Sequence, residues 1–269
     1  MMARPNTIVN LQDDSQSLNT VNLLVYGYPG CGKTPFLGTG ADTLIMDCDG
    51  GGALSARASG SKADVAPITC YQDLTEVYEY LRDGTHAYRW VWWDSISLFQ
   101  ERTMIDELVL DAHMQNPRQD RWVPSKREYF VDHNRIMEFV RRFTELPMNF
   151  GVTAHVGTEY QTNDEGEEVI MYMPQVQGKN MPSKVSGYMN VVGLMRKRVR
   201  KVKGKDPENI TEMLFQTTGE WFARDRFMKL PSAMAAPTIP KVEAALGLTT
   251  GIRPVTRLPV KSATKRSAR

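Results

Sequence analysis

Cysteine is scarce in this chain: 269 residues carry three, Cys31, Cys48 and Cys70, with no C-x-x-C pair. An odd number of cysteines without an export signal argues for reduced thiols and against redox chemistry or a disulfide scaffold. Long apolar runs are missing too. Nothing approaches the roughly 20 residues that cross a bilayer, and the opening MMARPNTIVNLQDDSQ lacks an apolar signal-peptide core. The expected location is the cytoplasm, with no membrane partner. There is no internal repeat and no strong excess of one charge, the net being +2. That balance hides an asymmetry. Six of the 33 basic residues (Arg253, Arg257, Lys261, Lys265, Arg266, Arg269) fall in 247–269 and none of the 31 acidic ones does, so a mildly acidic body carries a basic tail that reads as disordered.

What is present has the composition of a soluble globular protein, 41% hydrophobic and 24% charged, and enough length for one sizeable α/β core. Apolar runs at 21–26, 43–49, 65–70, 88–94 and 149–155 predict strands. Between them, 72–83, 96–115 and 125–146 predict helices, and a helix opens after Thr34 with Pro35 in its first turn. Strands alternating with helices imply right-handed crossovers and a mostly parallel sheet covered on both faces. After His155 the pattern changes. Residues 156–173 read as a hairpin with a polar tip, 174–189 as a Pro/Gly/Ser loop, 190–200 and 210–218 as two strands, and 239–246 as a short helix.

The stretch GYPGCGKT, residues 27–34, matches G-x-x-x-x-G-K-[ST] at every fixed position. Its residues are Gly27, Tyr28, Pro29, Gly30, Cys31, Gly32, Lys33 and Thr34. A glycine-rich loop between strand and helix points several backbone N–H groups at one anion, and side chains would block that approach. Lys33 is placed to reach the β- and γ-phosphates of ATP, and the Thr34 hydroxyl to ligate a bridging Mg2+.

Three further predicted strands end in polar residues. In RWVWWDSIS, Asp94 ends an apolar strand on the edge where parallel sheets bind ligands, and is a candidate for the magnesium or its water, with Ser95 in support. An Asp/Ser helix cap is the plainer reading of the same residues. LIMDCDGG ends in two carboxylates and a glycine run. Hydrolysis needs a base or water-orienting group opposite the γ-phosphate, for which Asp49 is the first choice and Asp47 the second. A polar turn is the alternative. His155, closing FGVTAH, could touch the γ-phosphate and relay its presence to the following loop, or serve as a structural hydrogen-bonder.

Over roughly 20–230, these residues together resemble the RecA-like branch of the P-loop ATPases. They are most similar to phage nucleotide-binding proteins of the AAA/RecA type, related to RecA and Rad-type recombinases, some of them single-strand annealing proteins. The features that carry the resemblance are the D-x-D-G-G strand end, W-W-D-S, T-A-H and the late F-A-R-D-R-F. It implies an N-terminal extension at 1–18, a RecA-like Mg-dependent ATPase domain at 19–246 with a C-terminal β-hairpin extension, and a basic tail at 247–269. Asp49 takes the place of the family's catalytic glutamate, one methylene shorter, and His155 falls where a glutamine is common.

The resemblance also implies partners. The loop after the sensor strand contacts single-stranded DNA in such proteins, which points to 174–189 with Lys179 and Lys184. Arg224 and Arg226 resemble basic residues that reach a neighbouring subunit's nucleotide in rings or filaments. A homo-oligomer, a single-strand binding protein as a further partner, and the host-cell cytoplasm of a phage-encoded protein follow from the same likeness. Separately, RKRVRKVKGK at 196–205 holds seven basic residues in ten, among them Arg196, Lys197, Arg198, Arg200 and Lys201. It reads as a phosphate-tracking surface or as a solvated hairpin rim.

The leading expectation is a DNA recombination or annealing ATPase. A P-loop switch for packaging, replication loading or another protein partner is the alternative. A small-molecule kinase is the weakest of the three, since no lid motif follows Asp94.

Overall fold

The computed structural model describes residues 20–162, 165–200 and 208–248. The first five strands and their crossovers are β1 (Asn22–Tyr26), α1 (Lys33–Leu37), β2 (Thr43–Asp47), α2 (Gly52–Ala58), β3 (Asp64–Pro67), α3 (Tyr71–Asp83), β4 (Trp90–Asp94), α4 (Ile96–Thr103), α5 (Leu110–Gln115), α6 (Lys126–Thr144) and β5 (Asn149–Ala154). Then follow β6 (Val156–Thr162), β7 (Glu168–Pro174), α7 (Met181–Tyr188), β8 (Val191–Arg200), β9 (Glu208–Leu214), β10 (Arg224–Asp225), β11 (Ala233–Ala235) and α8 (Ile239–Leu246).

The main sheet runs β11-β9-β8-β1-β5-β4-β2-β3, with β10 paired to β8. The stretch from β8 to β3 is parallel, and β9, β10 and β11 attach antiparallel at the other side. This is the expected α/β architecture: a mostly parallel sheet between helices, with a β8–β9 hairpin as its C-terminal extension.

The strands are near-continuous apolar runs because both faces of a parallel sheet are buried. Alternation divides each run between two cores. Leu24, Tyr26, Val91 and Trp93 enter one, with Phe99, Phe139 and Phe143 from the helices. Val21, Leu23, Val25, Trp90 and Trp92 enter the other, with Phe36, Leu37 and Val242. Each such side chain contributes about 1.5–3 kcal/mol on burial. Glu243 of α8, itself buried, accepts from Trp90 Nε1 at 2.9 Å and Arg89 at 3.1 Å, which ties the last helix to the start of β4.

The structure departs from the sequence-based expectation in several places. The predicted helix 96–115 is continuous but passes through a π-helical turn at Met104–Val109. Residues 52–58 form α2, where no helix was predicted. Residues 174–189 are not all loop. α7 occupies most of the second half, with Pro182 in its first turn, where no backbone N–H is required, and Met181 and Val185 buried one turn apart. Finally, the domain runs past 246: Gly247 caps α8 in the left-handed region, and buried Leu248 donates its N–H to the Glu243 carbonyl at 3.0 Å. The expected N-terminal extension, most of the basic tail, and Lys201 lie outside the described residues. Among those described, no helix is long and apolar enough to cross a membrane.

Candidate nucleotide site

The strand order brings β1, β5, β4 and β2 side by side, so their C-terminal ends form one edge. The 27–34 loop leaves β1 at that edge. Gly27 has no room for a side chain: a Cβ there would stand 2.3 Å from the Met195 carbonyl oxygen and 2.7 Å from Cys31 Sγ. Gly32, at φ 106°, turns the chain into α1 through a backbone region that L side chains rarely adopt. Lys33 is buried, and its Nζ donates to the Gly27 carbonyl at 2.8 Å and the Tyr28 carbonyl at 3.3 Å. Burial lowers its pKa, against the opposing pull of Cys31, Asp94 and Asp49. A phosphate group offers this ammonium a stronger acceptor than two loop carbonyls.

Asp94 is 5% exposed. Its Oδ2 accepts from Thr34 Oγ1 at 2.8 Å, and its Oδ1 takes a short hydrogen bond from Thr153 Oγ1 on β5. Burial pushes its pKa above the ordinary carboxylate range, while the hydrogen bonds from Thr153 and Thr34 pull the other way. Thr153 opens the T-A-H stretch, but nothing local names Asp94 as its partner; the β4–β5 pairing brings it here. Ser95 takes the plainer role, capping α4 by accepting the Leu98 N–H at 3.4 Å.

Asp47 ends β2 and Asp49 lies on the turn into α2. Asp47 accepts from the backbone N–H groups of Asp49, Gly50 and Ala53, each at 3.2 Å, so its carboxylate is spent inside its own turn. Asp49 Oδ1 accepts from Gly51 at 2.7 Å and Gly52 at 2.5 Å. Burial raises the pKa of Asp47. It acts on Asp49 as well, but there the Gly51 and Gly52 N–H groups outweigh it and hold the carboxyl below its ordinary value. Asp49 is thus the member of the pair whose charged form its surroundings favour. A Cβ on Gly52 would lie 3.2 Å from Asp47 Oδ1, 3.2 Å from Asp94 Oδ2 and 3.3 Å from Asp49 Oδ1. The last glycine of the run is where the three carboxylates converge.

His155 follows β5 on the same edge and is half-buried. Burial and nearby Lys33 lower its pKa, leaving a neutral imidazole at pH 7. Its backbone N–H donates to Ser97 Oγ at 3.0 Å and its carbonyl accepts the Gln175 N–H at 2.8 Å. Ser97 in turn donates to the Gln175 carbonyl at 2.6 Å. One turn further along α4, the Gln100 side chain accepts the Gln177 N–H at 2.7 Å and donates to buried Asp132 at 2.6 Å. The helix that follows Asp94 therefore holds the segment that follows β7. Ser97 and Gln100 could not be singled out in the sequence, because nothing local marks which helix faces which loop.

The basic candidates lie elsewhere. Lys179 and Lys184 are exposed, beside and on α7. Lys197 and Arg198 are exposed on β8, whereas Arg196 donates twice to Glu212 of β9, at 2.9 and 3.1 Å, with Arg198 at 3.7 Å from the same carboxylate. Arg200 lies in register with Glu208. The hairpin is thus less one-sided in charge than the run 196–205 suggests. Arg224 donates to the carbonyls of Ser186 and Met189, and Arg226 to that of Gly187 at 2.7 Å. Both are engaged within their own chain, at the C-terminal end of α7.

The family model described as AAA domain matches residues 19–227. The chain belongs to the AAA-domain family. Solved structures similar to this AAA domain include a KaiC-like protein from the hyperthermophilic archaeon Pyrococcus horikoshii, at 11% identity and a TM-score of 0.43, covering 74% of this chain and 80% of the other. The ATPase domain of G40P is another, at 12% identity and 0.42, covering 82% of each chain. No curated protein matches the chain.

The residues of this AAA domain fit the Mg-nucleotide that a P-loop implies. Gly27 admits no side chain, and the Thr34 hydroxyl and the Asp94 carboxylate sit together beside the Lys33 ammonium. Among the described residues no group of three or more His, Cys, Asp or Glu side chains could hold a metal. One carboxylate and one hydroxyl suit Mg2+, which keeps several waters and draws its other ligands from substrate phosphates.

Proposed function

We propose that this AAA domain is a Mg-dependent ATPase that engages single-stranded DNA in recombination or annealing, as a homo-oligomer. The carrying observation is the Ser97 link, in which one hydroxyl bonds both His155 at the sensor position and the Gln175 backbone. Lys33 would bind the β/γ-phosphates, Thr34 and Asp94 would hold the magnesium, which screens phosphate charge, and Asp49 would orient or deprotonate the attacking water. Any shift of His155 when a γ-phosphate is present or lost would reach 175–177, and through it Lys179 and α7. The exposed cations of α7 and β8 favour a polyanion as the responding partner.

The test is the ATPase rate with and without single-stranded DNA across a salt series. Stimulation that fades as salt rises supports the reading. A rate indifferent to DNA at low salt rejects it in favour of a P-loop switch with a protein partner. Lys33→Ala should lower turnover by roughly 10²–10³, the scale seen when one preorganised donor to developing charge is removed. Unchanged turnover in that variant would sink the site assignment itself.

A further inference from the structure

On the β8 side of the 27–34 loop lies a cleft of about 460 Å³. Residues 28–31 form one wall, and Leu194 to Lys197 of β8 form another. The register of β8 on β1 sets Leu194 beside Tyr26, so the residues after it run past the loop. Cys31, Leu194 and Met195 are buried and make the floor apolar. Trp221 completes the lining. Its indole stacks on Tyr172, with ring centroids 4.3 Å apart and planes at 15°, and meets the Tyr28 ring edge-on at 6.2 Å. Tyr28 itself is 55% exposed. Lys197 stands exposed at the rim.

We infer that this cleft takes the base of the bound nucleotide, with Trp221 and Tyr28 as its aromatic contacts. The inference rests on the phosphate-cradle reading of the 27–34 loop and deepens it. Three observations carry it. The cleft shares residues 28–31 with the cradle, so a ligand whose phosphates occupy the loop has its remaining bulk beside this space. An apolar floor with aromatic side chains suits a flat heterocycle, whose faces are apolar and polarisable. Trp221 is already oriented by Tyr172, so little side-chain ordering remains to oppose binding. The other side of the loop is occupied by Asp94, Asp49 and His155, whose carboxylates and imidazole suit phosphate, metal and water.

Calorimetric titration of the full chain with Mg-ATP and with Mg-tripolyphosphate, which has the phosphates and no base, tests this. Trp221→Ala should weaken ATP about tenfold, within the range of stacking on a single aromatic side chain, while tripolyphosphate binding stays within about twofold. Trp221→Phe should recover most of the loss. If Trp221→Ala does not fold, Trp221→Leu, which keeps an apolar side chain but no aromatic face, gives the same comparison, with ATP weakened and tripolyphosphate spared. Unchanged ATP affinity, or an equal loss for both ligands, overturns the base cleft; the second result is what a merely structural Trp221 would give. Wild-type protein that fails to bind tripolyphosphate, or Lys33→Ala protein that binds it normally, overturns the phosphate cradle instead.

Discussion

At the scale of single residues, the three carboxylates around Gly52 differ by environment rather than by type. Asp49 is held charged by two backbone N–H groups, Asp47 is used up by its turn, and Asp94 is buried with two threonine hydroxyls as donors. Asp49→Asn should leave ATP binding intact and slow hydrolysis by roughly 10²–10⁴, the usual worth of a positioned base. Normal hydrolysis in that variant would pass the role to another group. Asp94→Asn should instead raise the magnesium concentration needed for half-maximal turnover.

The raised pKa of Asp94 also has a stability signature with a definite sign. Its folded-state pKa lies above the unfolded value, so the folded state binds the proton more tightly and this contribution to stability is lost as pH rises through the folded pKa. Asp94→Asn lacks that loss. The melting temperature of the variant relative to wild type, without nucleotide, should therefore rise from pH 4 to pH 8. A flat difference across that range would show that Asp94 does not titrate as a buried acid.

At the scale of elements, α4 joins the site to the chain beyond it. Ser97 links the His155 N–H to the Gln175 carbonyl, and Gln100 fixes Gln177. Ser97→Ala removes the link without touching the loop, Asp94 or Asp49. Basal hydrolysis should change less than about threefold, while stimulation by single-stranded DNA should fall by more, since the hydrogen bonds removed are each worth about 1 kcal/mol net. Equal loss of basal and stimulated rates in steady-state assays would reduce Ser97 to a structural role. Elements also mark how far the sequence is legible. Strands β1, β4 and β5 could be read because apolar runs closed by a glycine or a polar residue leave few alternatives. α7 was hidden because proline, glycine and serine raise the same turn signals whether they break a helix or start one.

At the scale of the whole molecule, the basic hairpin and the basic tail can be tested separately. Arg196 is tied to Glu212, so the surface charge of β8 rests on its neighbours. Neutralising Lys197, Arg198 and Arg200 of β8 should weaken single-stranded DNA binding more than removing the chain after Leu248, because residues fixed on a strand need less ordering on binding. Each phosphate that is no longer neutralised should flatten the slope of log K against log salt by about 0.7. The cut belongs after Leu248 and not before Gly247, since both residues complete the α8 end. Equal affinity of all three proteins by fluorescence anisotropy at low salt would remove DNA from both segments.

The 27–34 loop between β1 and α1, the strand that carries Asp94 and the layered α/β core were legible without the fold, because these depend on residues close in the chain: a spacing of glycines, an apolar run, a polar residue at its end. The sequence also narrowed the second carboxylate to Asp47 or Asp49. Only the tertiary structure chose between their environments, through which backbone N–H groups each one faces. Only strand pairing brought Thr153 to Asp94, and only helix packing set Ser97 between His155 and Gln175 and turned Arg224 and Arg226 onto α7. Those pairings join residues tens of positions apart in the chain, and no local pattern encodes a partner at that distance.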